Sequence, residues 1–223
     1  MQMAGTEAGP GRGVLPGPVR GRLGAVAALA ALVVAGLGVL YGGDSGPGRV
    51  DARVRALLGG VGASWRAFAE AVDFLGEPVG AAALVLGTVT GCLLLRRPRA
   101  AVLVVAGAGT AVVATTVLKS VVGRTIHGGY LAFPSGHTAF LTAYALVTAL
   151  LVTGRLGLGR TAGPSLVLAA GTAAGAVMGW AQIVLDAHYP TDVLGGWFTA
   201  LAVVPATAWL VDRVADTARL DGR

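Results

Sequence analysis

Six stretches of nearly unbroken apolar residues run along the chain, at 23–41, 79–95, 100–118, 138–153, 164–185 and 193–211. A helix needs roughly 17 to 25 such residues to cross about 30 Å of hydrocarbon, so each stretch is a candidate membrane span. The fourth is short, which predicts a helix that starts earlier, near Ser135. Between the first two spans the pattern changes. Val50, Val54, Leu57, Leu58, Val61, Trp65, Phe68 and Val72 recur at helical spacing, with Arg53, Arg55, Arg66 and Asp73 on other faces. That periodicity predicts one amphipathic helix on the outer leaflet, as a connector that shields the bundle or as an element that admits lipid.

The expected fold is therefore all-α, a six-transmembrane helical bundle with an interfacial amphipathic helix between spans one and two. It reads as one membrane domain over 23–211, with no internal repeat. Residues 1–22, rich in Gly and Pro, read as a disordered cytoplasmic N-terminus, and 212–223 as a cytoplasmic tail. Gly87 with Gly91, and Gly171 with Gly175, are small-xxx-small pairs that predict close helix approach.

Composition sharpens this picture: 55% of the 223 residues are hydrophobic and only 13% charged, which excludes an ordinary water-soluble domain. The net charge of +6 does not indicate nucleic-acid binding, because the basic residues gather beside span ends. Arg12, Arg20 and Arg22, then Arg96, Arg97 and Arg99, then Arg155 and Arg160, and finally Arg213, Arg219 and Arg223 mark alternate connections as cytoplasmic. Both termini are then expected inside. The first span is long for a signal-peptide core and no small-residue cleavage site follows it, so it reads as a permanent anchor. Cys92 is the sole cysteine, which excludes a disulfide framework and a thiolate metal cluster.

The remaining chemistry gathers at the outer end. Lys119 and all three histidines, His127, His137 and His188, fall in or beside the connections after the third and fifth spans. Ionisable groups at the ends of membrane helices are costly unless paired or hydrated, which points to a functional site. Taken singly, Lys119 also fits a snorkelling helix end, and each histidine a helix cap or a headgroup contact. In "PSGH" the first N–H groups of a new helix, from Ser135, Gly136 and His137, lack intrahelical partners and favour an anion. Lys119 adds a point charge and Arg124 a guanidinium fork suited to phosphate oxygens. His188 and Asp192 are four apart, so the carboxylate can orient one imidazole nitrogen and leave the other to attack. His137, with an ordinary imidazole pKa near 6.5, suits protonation of a departing oxygen.

The order Lys119, "PSGH" at 134–137, then His188 and Asp192 within "HYPTD" resembles the type-2 phosphatidic acid phosphatase superfamily, in its membrane branch. The resemblance implies six spans and hydrolysis of a lipid phosphate or diphosphate, polyprenyl or glycerolipid. It implies that His188 is the nucleophile of a phosphohistidine, that Asp192 orients it, and that His137 protonates the leaving group. Lys119, Ser135 and Gly136 would cradle the phosphate, with no metal and no cofactor. Two departures stand out. The family's first motif places Arg-Pro where Ile126 and His127 stand, and its third places Ser-Arg where Ala181 and Gln182 stand. Hydrogen bonds to charged groups contribute about 1.5 to 3 kcal/mol each, so two lost arginines weaken transition-state binding by roughly 10² to 10⁴. Arg124, two residues early, and Gln182, a neutral donor, are the expected replacements. Asp186 is expected to point away from the phosphate, and His127 to pair with it or to meet a headgroup.

The partners expected are a lipid-phosphate substrate and membrane lipids, with no nucleic acid. The rival reading is a lipid-phosphate binder or carrier that retains the pocket without turnover. A transport or channel subunit is disfavoured, since no charged pairs stand mid-span and no repeat symmetry is present.

Overall fold

A computed structural model describes residues 13–221. Among these the helices run α1 (Gly17–Leu40), α2 (Arg49–Leu58), α3 (Ala63–Phe74), α4 (Pro78–Leu94), α5 (Pro98–Val122), α6 (Gly136–Leu156), α7 (Ala162–Val184) and α8 (Pro190–Asp221). A two-residue ladder, β1 (Thr125–Ile126) with β2 (Tyr130–Leu131), joins α5 to α6. The bundle is all-α, as the apolar pattern predicts. Five helices are long and apolar enough to cross a membrane, and α4 joins them as a pair with α3, bent by 57°.

Local sequence sets the boundaries. Proline occupies the first turn of α1, α4 and α5 and opens α8, where its missing N–H costs no helical bond. Gly123 and Gly157 close α5 and α6 in the left-handed conformation that glycine adopts without strain. Ser135 caps α6, so the short fourth span does begin where its length required.

The core lies between α1, α5, α6, α7 and α8, with Leu103, Val104, Leu146, Leu150, Val167 and Val204 buried in it. Outward faces are equally apolar: Leu32 is 71% and Val39 86% exposed, as expected for a surface solvated by lipid. Gly171 and Gly175 bring α7 against Leu146 of α6 and Trp197 of α8, so this small-residue pair packs as expected. Gly87 and Gly91 have nothing within 4 Å of a built Cβ, so the α4 pair does not pack.

The amphipathic segment differs from the single helix expected. It breaks at Gly59 and Gly60, where Gly60 takes φ +80°, and gives α2 and α3. Helix α3 lays Ala69 and Val72 against Met178 and Ala181 of α7, and Trp65 and Phe68 meet Trp180. Helix α2 is inverted relative to its pattern: Val50 and Leu57 face outward and Asp51 is fully buried. Of the N-terminal segment expected to be disordered, residues 1–12 lie outside the described residues, whereas 13–22 are ordered. The N–H groups of Val14 and Leu15 donate to the Asp212 carboxylate at 2.7 and 2.9 Å, which clamps the chain start to the far end of α8.

Two glycines of α8 set how closely it approaches the turn before α6. A Cβ at Gly195 would collide with the Phe133 ring, and one at Gly196 with the Ser135 carbonyl. Gly196→Ala is expected to lower stability by about 1–3 kcal/mol through forced separation of α8 and α6. Gly87→Ala, in open space, is expected to be neutral or slightly stabilising. Thermal unfolding of the two variants in one detergent checks the contrast.

Candidate active site

The C-terminal end of α5 and the N-terminal starts of α6 and α8 meet at one end of the bundle, bringing Lys119, His137, His188 and Asp192 together. The turn before α6 is tied to α8 through its backbone, since the Ser135 N–H donates to the Asp192 carbonyl at 2.9 Å. The Ser135 hydroxyl accepts from the N–H and hydroxyl of Thr138. Ser135 is therefore spent on structure and does not offer a free N–H to an anion, contrary to expectation. Gly136 and His137, in the first turn of α6, remain the helix-start donors.

His188 sits between α7 and α8 with Nδ1 3.8 Å from Asp192 Oδ2. Burial pushes its pKa below the usual imidazole value, the charges of Lys119 and His137 add to that, and Asp192 opposes it. The starts of α6 and α8 touch, with Gly196 against Ser135 and Ala139, and Gly136 lies near Thr115, one turn before Lys119, so His137, His188 and Lys119 sit at the same end of the bundle. Among the described residues Lys119 pairs with no carboxylate within ion-pair distance, which leaves its ammonium for a ligand.

Asp192 is held from two sides. Its Oδ2 accepts from the Tyr189 N–H at 3.0 Å, and its Oδ1 takes Nη1 of Arg124 at 2.7 Å. Arg124 is the correction to the sequence reading. It is completely buried, it also donates to Thr191 Oγ1 and Asp51 Oδ2, and its guanidinium lies 4.4 Å and 4.6 Å from the ring centres of Tyr41 and Tyr189. With both terminal nitrogens committed, the fork is not free for a phosphate. Asp51 completes the knot by accepting from the N–H and hydroxyl of Thr191 and from the Gly48 N–H. Burial alone would raise its pKa, but the Arg124, Thr191 and Gly48 donors outweigh it and hold the carboxyl below its usual range.

Gln182 also departs from its expected role. Its amide is buried and donates to Asp73 Oδ1. Asp73 and Glu77 flank His137, with carboxylate oxygens 3.7 and 3.5 Å from its Nε2. Among the described residues these are the three His, Cys, Asp or Glu side chains whose polar atoms come within 4.8 Å of one another. Asp186 turns away, paired with Arg55, and His127 Nε2 lies 2.6 Å from the Asp186 carbonyl. A cavity of about 630 Å³ opens there, lined by Arg55, Arg66 and Asp186. Neither His137 nor His188 lines it, so it stands apart from them.

Asp51, Thr191, Asp73 and Glu77 were not recognisable from sequence as site residues. Their partners lie far away in the chain, and the one local trace, a polar residue at position 51 within an apolar face, resembles an ordinary surface helix.

A family model for the PAP2 superfamily matches residues 100–216, more than half of the chain. The protein belongs to the PAP2 superfamily. It is thereby a phosphoric ester hydrolase of the lipid phosphatase kind, carried on a multi-pass membrane bundle. Its fold is similar to the crystal structure of the first transmembrane PAP2 type phosphatidylglycerolphosphate phosphatase from Bacillus subtilis. The TM-score is 0.65 at 20% identity, over 86% of this chain and 96% of that one. No curated protein matches the chain significantly in sequence. The matched stretch contains Lys119, "PSGH" and "HYPTD", but not α2, α3 or Glu77.

Arg124→Ala is expected to strand two buried carboxylates and to cost about 3–5 kcal/mol. Arg124→Lys is expected to rescue little, because an ammonium cannot reproduce the planar fork between two rings. Melting temperatures in detergent check both, and a melt unchanged by Arg124→Ala would contradict the buried knot.

Proposed function

We propose that this PAP2 protein removes phosphate from a lipid phosphate or diphosphate, polyprenyl or glycerolipid, at the extracytoplasmic face through a phosphohistidine on His188. The observation that supports the reading is that His188, its Asp192 partner, His137 and Lys119 are brought to one bundle end by the meeting of α5, α6 and α8. The sidedness rests on the opposite end, where the chain start is clamped to Asp212, Arg22 donates to the Arg160 carbonyl and Arg99 pairs with Asp216.

In this mechanism Asp192 faces Nδ1 of His188, which leaves Nε2 to attack phosphorus. The N–P bond forms as the P–O bond to the lipid breaks, and His137 gives its proton to the departing lipid oxygen. A water then attacks the phosphohistidine, His137 takes that water's proton, and inorganic phosphate leaves with His188 restored. The 3.8 Å gap to Asp192 is of the kind that tightens when a charged ligand arrives. Lys119 and the N–H groups of Gly136 and His137 meet the phosphate oxygens, and Lys119 also favours the neutral, attacking form of His188.

Purified protein in mixed micelles is expected to release phosphate from at least one polyprenyl or glycerolipid phosphate, and His188→Ala to reduce that to background. Equal background release by both across a broad panel, with retained binding, would favour the lipid-phosphate binder instead. His188 attacks only when neutral and its pKa lies below the usual value. The acid limb of kcat/KM is therefore expected below the ordinary imidazole pKa of about 6.5. Lys119→Met is expected to move that limb upward, and a pH–rate profile of both proteins checks the sign.

A further inference from the structure

The corner between α3 and α4 wraps His137. Gly76, at the bend, lies directly beneath the imidazole, where a Cβ would collide with the ring. Asp73, in the last turn of α3, and Glu77, the N-cap of α4, then face Nε2 from two sides. That nitrogen is sealed from solvent and makes no hydrogen bond at present distances. Gln182 braces Asp73 from α7. The arrangement mirrors the nucleophile, whose Nδ1 is likewise sealed and turned to a carboxylate.

We infer that Asp73 and Glu77 are positioning residues for the proton donor: they hold the Nε2 side of His137 and leave its Nδ1 to the leaving oxygen. This deepens the phosphatase reading and rests on it. In the imidazolium, Nε2–H stays directed at the two carboxylates while the Nδ1 proton passes to the lipid oxygen as the P–O bond breaks. The product is a neutral imidazole with its remaining proton on Nε2, which the carboxylates favour.

The identity of residue 182 follows the same logic. An arginine there, as in the family's third motif, would neutralise Asp73 as a salt bridge. The neutral amide of Gln182 fixes the Asp73 carboxylate and leaves its charge to His137.

Proton donation matters when the leaving group is a poor one, so the test varies the leaving group. Wild type, Asp73→Asn, Glu77→Gln and the double variant are compared on a long-chain alkyl phosphate and on 4-nitrophenyl phosphate, whose phenolate departs without a proton. On the alkyl phosphate the double variant is expected to lose about tenfold to a hundredfold in kcat with KM little changed, part of the 10² to 10⁴ that general acid catalysis supplies. The aryl phosphate is expected to change less than about twofold. In a His137→Ala background, Asp73→Asn and Glu77→Gln are expected to add no further loss. Equal losses on both substrates, or additive losses in that background, would overturn the inference. So would a requirement for an added divalent cation that vanishes in Glu77→Gln, since the trio would then be a metal site. Glu77 is half-exposed, so Glu77→Gln keeps the test open if Asp73→Asn fails to fold. Absence of phosphate release by wild type would instead fell the phosphatase reading itself, and its activity with His188→Ala silent separates the two failures.

Discussion

The knot around Arg124 is the constraint on which this site depends. One guanidinium, fully buried, joins Asp51 of α2 to Asp192 and Thr191 of α8 and is stacked by Tyr41 after α1 and Tyr189 before α8. An ion pair this deep is not a cheap source of stability, because desolvation consumes much of the Coulombic gain. What it confers is definition. Asp192 has two oxygens: one is bound to Arg124, so the other is left facing Tyr189 N–H and His188. Without that anchor the orienting carboxylate would have several rotamers and a choice of partners. The amphipathic helix α2 thus reaches Asp192 indirectly, through Asp51 and Arg124.

Seen together, the family's missing arginines are compensated in kind rather than in place. Arg124 lies close in sequence to the vacant first-motif position but works behind Asp192. Gln182 stands at the vacant third-motif position but works behind Asp73. Both residues, expected at the phosphate, instead bond to the carboxylates that face the two imidazoles. In the proposed reaction that leaves Lys119 and the start of α6 as the donors to the phosphate. In the proposed mechanism the gain falls on the geometry of His188 and His137.

How much of this was legible in the sequence follows from the range of each interaction. Span positions are local sums of hydropathy: five emerged as helices long and apolar enough to cross, including the early start at Ser135, and the second only as α4 paired with α3 across a bend. The order of Lys119, "PSGH", His188 and Asp192 is carried by local motifs, and the fold brings these groups to one bundle end. The break at Gly59 and Gly60 was local too, yet the apolar periodicity ran through it and concealed it. Periodicity also misread α2, because a buried carboxylate that satisfies an arginine is indistinguishable in sequence from a solvated one. Asp51 with Arg124, and Asp73 with Gln182, are pairings across distant segments, and no local pattern encodes them.

The charge arrangement also bears on where binding energy comes from. Around this site Asp51 and Asp192 share Arg124, while among the described residues Asp73 and Glu77 have no cationic partner other than His137 within ion-pair distance. A phosphate entering here meets one free ammonium and two nearby carboxylates, so electrostatics alone attract it weakly. An acyl or prenyl chain has no such difficulty, since it stays in the lipid that solvates the outer faces of the helices. Binding energy from that remote part can hold the phosphate against an environment tuned for proton transfer, which is how enzymes use non-reacting substrate groups to improve the chemical step. In the proposed reaction the membrane is therefore part of the catalyst's design: it retains the substrate, and the site is free to be built around two oriented imidazoles.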